Sequence, residues 1–176
     1  MLQPKRMKYR KPHRTKYEGK AKGNKYVAFG EFGLLVVCGK GRNCNGRQKS
    51  GNWITDKQLE AARVVLSKVQ TKYLKQGGKM WTRVFPQLSR TKKPLEVRMG
   101  SGKGSPEIQC AVVKAGTVLF ELANIPAEEA KDALRKAGNK LNVVCRVVSK
   151  AELPNETIAE KLLKKNFKKP NVIERR

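Results

Sequence analysis

Forty lysines and arginines face only 14 aspartates and glutamates in this chain of 176 residues, a formal charge of +26. Self-repulsion on that scale penalises any compact state, so a fold built from this sequence has to display its cations and hold them against a polyanion. Nucleic acid fits that role best. The excess is spread unevenly, and its distribution divides the chain.

Residues 1–24 read as a basic arm. Lys5, Arg6, Lys8, Arg10, Lys11, Arg14, Lys16, Lys20 and Lys22 are opposed there only by Glu18, and aliphatic side chains are almost absent. Such a segment cannot form a core of its own and is expected to order on a partner. Tyr9, His13 and Tyr17 recur every four residues among the cations, so bases or riboses can stack where phosphates are neutralised. The plainer alternative is a solvated basic tail. The first residues carry charge with no apolar stretch behind them, which reads as a mature N-terminus rather than a secretory signal.

Residues 25–148 hold the patterning of a folded domain. A strand-like stretch at 25–32 and the apolar run Leu34-Leu35-Val36-Val37-Cys38 are punctuated by Gly30 and Gly33, suggesting a bend between two short strands. That run is far shorter than the ~18 residues of a transmembrane helix, so no membrane-spanning role is expected. Residues 39–52, rich in Gly, Asn, Lys and Arg, predict an exposed loop carrying Arg42, Arg47 and Lys49. Thr55-x-x-Gln58 is a capping box, and Leu59, Ala62, Val65, Leu66, Val69 and Tyr73 fall on one face of the helix it opens, with Gly77 as the stop. The other face presents Lys57, Arg63, Lys68, Lys72 and Lys75, either a solvated surface or phosphate contacts. Alternation over 79–85 predicts a strand, 108–114 and 117–122 a hairpin turning at Ala115-Gly116, 126–140 a second helix, and 142–148 a last strand. Residues 149–176 read as an appended extension with a short helix near 155–166.

Between the strands, residues 87–107 form a connection too long to be a simple turn, and such loops are usually functional. Arg90, Lys92, Lys93, Arg98 and Lys103 outnumber Glu96 and Glu107 in it. At its centre, Arg98-Met99-Gly100-Ser101-Gly102-Lys103-Gly104-Ser105-Pro106 alternates glycine with other residues, removing side chains where a nucleic-acid backbone would approach. A phosphate-binding P-loop fails here in register. With Gly102-Lys103 aligned to the Gly-Lys pair, Val97 stands at the first glycine, Gly104 at the magnesium-binding hydroxyl, and Pro106 spoils the helix entry.

Other chemistry finds no footing. His13 is the only histidine and lies in the arm, so no His-based acid–base or metal site is expected. Cys38, Cys44, Cys110 and Cys145 lack paired spacing and are expected to be reduced thiols without a metal. Glu128, Glu129 and Asp132 sit where they complement a helix dipole. No enzyme activity, cofactor or small-molecule substrate is expected.

Several stretches together resemble a known family. They are Met1-Leu2-Gln3-Pro4-Lys5-Arg6, Gly30-Glu31-Phe32-Gly33-Leu34, Trp53-Ile54-Thr55 with Gln58-Leu59-Glu60-Ala61-Ala62-Arg63, Gly77-Gly78-Lys79-Met80-Trp81-Thr82-Arg83-Val84-Phe85-Pro86, Lys92-Lys93-Pro94, and the segment from Arg98 to Pro106. In that order they closely resemble the bacterial and organellar large-subunit ribosomal protein L-sixteen family.

The resemblance implies an α+β fold in which a hammerhead-like β-arrangement packs with two helices. It implies binding to large-subunit rRNA, neighbouring ribosomal proteins as partners, and a location on the cytoplasmic ribosome of a bacterium or on an organellar ribosome. By the same resemblance, Lys5, Arg6, Lys8, Arg10, Lys11, His13 and Arg14 would thread into rRNA. Arg90, Lys92, Lys93, Arg98, Met99, Gly100, Gly102 and Lys103 would belong to a loop that helps position tRNA near the peptidyl-transferase centre. Three departures stand out: about ten residues inserted within 39–52, a longer tail after Val148, and no bulky aromatics at Ile108-Gln109-Cys110. A sequence-tolerant RNA chaperone is the alternative reading of the same charge.

Overall fold

The structure, a computed structural model, describes residues 2–39 and 51–152. The expected helix near 155–166, most of the 39–52 and 149–176 segments, and Arg42, Cys44, Arg47 and Lys49 lie outside the described residues. Among the described residues the chain folds into seven strands and two α-helices, with sheets that are antiparallel throughout.

The capping box does what its spacing demands. Gln58 N donates to Thr55 Oγ1 at 3.3 Å and Thr55 N to Gln58 Oε1 at 3.1 Å, satisfying donors that a helix start would leave orphaned. Helix α1 runs Asp56–Lys72 and buries Leu59, Ala62 and Leu66, with Val69 and Tyr73 packed at the edge. A short 3₁₀ turn follows, closed by Gly77 in the left-handed conformation at φ 80°. The second helix, α2, spans Ala127–Asn139 with Pro126 just ahead of it and buries Ala130, Ala133, Leu134 and Ala137 against α1 and the larger sheet.

Strand β1 (Phe32–Gly39) is central to a four-stranded sheet ordered β3 (Lys79–Thr82), β6 (Val118–Ala123), β1, β7 (Val143–Ser149). A three-stranded sheet orders β2 (Asn52–Thr55), β5 (Ser105–Val113), β4 (Leu88–Lys92). Both contribute to one core that includes Leu34, Ile54, Val113, Phe120, Leu122 and Val143.

Four expectations are corrected. Residues 25–31 are not a strand: they form a strap that tucks Val27 against Leu35, Val118 and Val148. The bend expected at the glycines is present at 29–31, but it precedes a strand rather than separating two, and bulges follow at Leu34/Leu35 and Val36/Cys38. The hairpin does not exist, because β5 and β6 belong to different sheets and the Ala115-Gly116 turn carries the chain from one to the other. The 87–107 loop is strand at both ends: β4 pairs with β5 from Leu88↔Cys110 to Lys92↔Ser105, so the connection itself shortens to 93–104.

The strap is locked by a buried charge. Wholly buried Glu121 accepts from Phe29 N at 2.7 Å and Gly30 N at 2.9 Å, and pairs with the Arg83 guanidinium at 2.7 Å. Arg83 also donates to Asn24 Oδ1 at 3.0 Å and lies over the Phe29 ring, which stacks on Trp81. Three donors on one carboxylate satisfy a charge that burial would otherwise penalise.

Candidate nucleic-acid interface

The arm has no helix or strand, yet it is fastened to the smaller sheet along its length. Met7 sulphur lies 3.8 Å from Gln109 Nε2, at the position where the expected aromatics are missing. Ser89 Oγ donates to Arg10 O at 2.6 Å, Gly51 N to Tyr17 O at 2.9 Å, and Ala21 N to Ala115 O at 2.9 Å. Apolar composition undercounts what holds it, since its own carbonyls accept hydrogen bonds from the domain.

This path brings the arm against the base of the 93–104 loop. Lys11 Nζ donates to Lys103 O at 3.0 Å, and Lys103 Nζ returns contacts to Lys11 O and Pro12 O at 3.4 Å. Beside this junction a cavity of about 280 Å³ is lined by Pro12, His13, Arg14, Trp53, Arg90 and Lys103 together with Leu88, Ser89 and Thr91. No carboxylate lines it among the described residues. The Arg90 guanidinium sits 5.9 Å from the Trp53 ring centre, pairing a cation with an aromatic face. Concentrating like charges in this way costs stability in isolation, and a phosphate backbone would offset that cost.

Of the residues singled out from sequence, the structure gathers Arg10, Lys11, His13, Arg14, Arg90 and Lys103 at the junction. Lys5, Arg6 and Lys8 are exposed further along the arm, where Lys8 Nζ lies 5.4 Å from the Tyr9 ring centre. The four-residue spacing of Tyr9, His13 and Tyr17 does not make one face, because the segment is not helical. Trp53, Leu88 and Ser89 were not expected at the site. An aromatic just ahead of a capping box was the available signal for Trp53.

The loop tip is built for display. Gly100, Ser101 and Gly102 follow one another at φ 107°, 56° and 75°, a positive-φ run in which the two glycines, but not Ser101, are free of Cβ strain. Lys93 Nζ donates to Gly100 O and draws the tip back on itself. Arg98 is exposed, with no ion pair among the described residues, and Met99 is 100% exposed. Gly104 serves close packing instead, because a Cβ there would overlap the Lys92 carbonyl. Lys92 itself approaches Glu107 at 3.9 Å, so its charge is partly answered within the chain.

Elsewhere the chemistry is quieter. On α1, Arg63 is clamped by Glu60 and holds that carboxyl below the usual range, while Lys72 faces Glu129. The basic face of α1 is thus partly neutralised. Burial pushes the free Cys110 thiol up, and the Cys145 thiol donates to Val143 O at 3.8 Å. Among the described residues no group of three or more His, Cys, Asp or Glu is placed to hold a metal, and no helix is long and apolar enough to cross a membrane.

Comparison with known proteins returns one family. The family model described as Ribosomal protein L16p/L10e matches residues 4–148. A Malacoplasma penetrans protein named large ribosomal subunit protein uL16 is 58% identical over 156 residues, 89% of this chain and 100% of its own length. Proteins of the same name from Mycoplasmoides gallisepticum and Spiroplasma citri are 55% and 56% identical, covering 85% and 86% of this chain and 97% and 99% of theirs.

Proposed function

The chain belongs to the ribosomal protein L16p/L10e family, and from that premise we propose that the arm and the 93–104 loop form one RNA-facing edge, anchoring on large-subunit rRNA and reaching towards tRNA. The protein is a structural constituent of the large subunit of a bacterial cytoplasmic ribosome, associated with its rRNA and proteins, and is not an enzyme. The reading of a sequence-tolerant chaperone has no support in this membership.

The observation that carries the proposal is the reciprocal Lys11–Lys103 contact beside a cation-lined cavity without a carboxylate among the described residues. In this reading Lys5, Arg6, Lys8, Arg10, Lys11, His13 and Arg14 neutralise rRNA phosphates. Arg90 and Lys103 extend that surface to the root of the loop, together with Lys92 and Lys93. Gly100 and Gly102 bend the tip so that Arg98 and Met99 project from it towards tRNA. Catalysis at the nearby centre belongs to the RNA, and the protein contributes position and charge.

Sedimentation of a cell extract at physiological salt tests the anchoring. The chain is expected in large-subunit and whole-ribosome fractions. Recovery with small subunits, or free of ribosomes, would overturn the proposal.

A further inference from the structure

A second groove, of about 600 Å³, opens where the two sheets diverge. One wall is the end of the arm, and the others are the segment between β3 and β4 and the end of β5. Lys16, Lys22 and Lys114 line it, and none of the three has an ion-pair or hydrogen-bonding partner of its side chain among the described residues. Arg83 also borders it, but its guanidinium is committed to Glu121 and Asn24. No carboxylate is present in the lining among the described residues. The apolar wall is Val84, Phe85 and Leu88, with Phe85 49% exposed and no ring stacked on it among the described residues.

An exposed phenyl face next to three unanswered ammonium groups combines the two elements by which proteins hold an unpaired nucleotide: an aromatic surface for the base and cations for its phosphates. We propose that the groove receives one unstacked nucleotide of large-subunit rRNA, with the base against Phe85 and the flanking phosphates on Lys16, Lys22 and Lys114. This site deepens the rRNA-binding reading above and rests on it. It adds a base-stacking contact, separate from the arm–loop junction, to an interface otherwise made by charge.

Photo-crosslinking from position 85 tests it, using the full chain assembled into large subunits with p-benzoylphenylalanine in place of Phe85. A crosslink to a single rRNA nucleotide is expected. It should fall severalfold when Lys22→Ala and Lys114→Ala are added, while a crosslink from position 99 to tRNA, read in ribosomes carrying aminoacyl-tRNA and the same two lysine changes, is unchanged. A crosslink from position 85 to a neighbouring protein, or none, in normally assembled subunits would overturn the groove proposal alone. A crosslink indifferent to both lysine changes would overturn the phosphate contacts. If the unsubstituted chain failed to enter large subunits at all, the anchoring proposal would fall and the groove with it.

Discussion

Position 121 carries the one carboxylate that is wholly buried among the described residues, and what happens to its partner should be measurable. Arg83→Ala would leave Glu121 with two backbone N–H donors and no countercharge, a loss of about 3–5 kcal/mol by analogy with other broken buried pairs. Urea unfolding reads this directly, and a loss below about 1 kcal/mol would mean that the backbone donors suffice. Arg98 is the opposite kind of residue, exposed at a loop tip with no ion pair among the described residues. Arg98→Ala should leave incorporation into large subunits near normal while slowing elongation severalfold, because one cation contributes little to a many-contact interface. Both residue types were visible in the sequence as charge, but not their difference. Glu121 sits in the run Val118-Leu119-Phe120-Glu121-Leu122-Ala123, and the strap at 25–31 together with the Arg83 guanidinium explains why a charge is tolerated there.

Elements written in local chemistry were legible. The capping box placed α1, and 3.6-residue periodicity placed the buried faces of both helices, because those signals need no distant partner. Strand pairing was not legible. A turn at Ala115-Gly116 reads the same whether its flanking strands pair or part into two sheets, and tertiary context chose the second. Strand β4 was hidden because an edge strand carries charges such as Arg90 and Lys92, which guard it against pairing with another chain and make it look like loop. Its junction with β5 depends on Gly104. Gly104→Ala would push a methyl group into the Lys92 carbonyl and should cost about 1–3 kcal/mol, with faster amide exchange in β4. Wild-type exchange rates in the variant would contradict the close approach as the reason for glycine.

For the whole molecule, a charge of +26 is divided between holding and reaching. Deleting residues 2–22 removes the arm cations and the carbonyls that bind it to Ser89, Lys103 and Gly51, so incorporation into large subunits should fall sharply. Arg98→Ala should do the reverse, and equal assembly defects from the two changes would argue against separate roles. The arm and the loop were each recognisable as basic segments, whereas their meeting at Lys11 and Lys103, 92 residues apart, depended on the path of the arm across the sheet. The most direct test of that division is a photo-crosslinker at fully exposed position 99 in ribosomes carrying aminoacyl-tRNA. A crosslink to tRNA is predicted, appearing when tRNA is bound and absent from empty subunits. A crosslink only to rRNA or protein, the same with and without tRNA, would contradict the account.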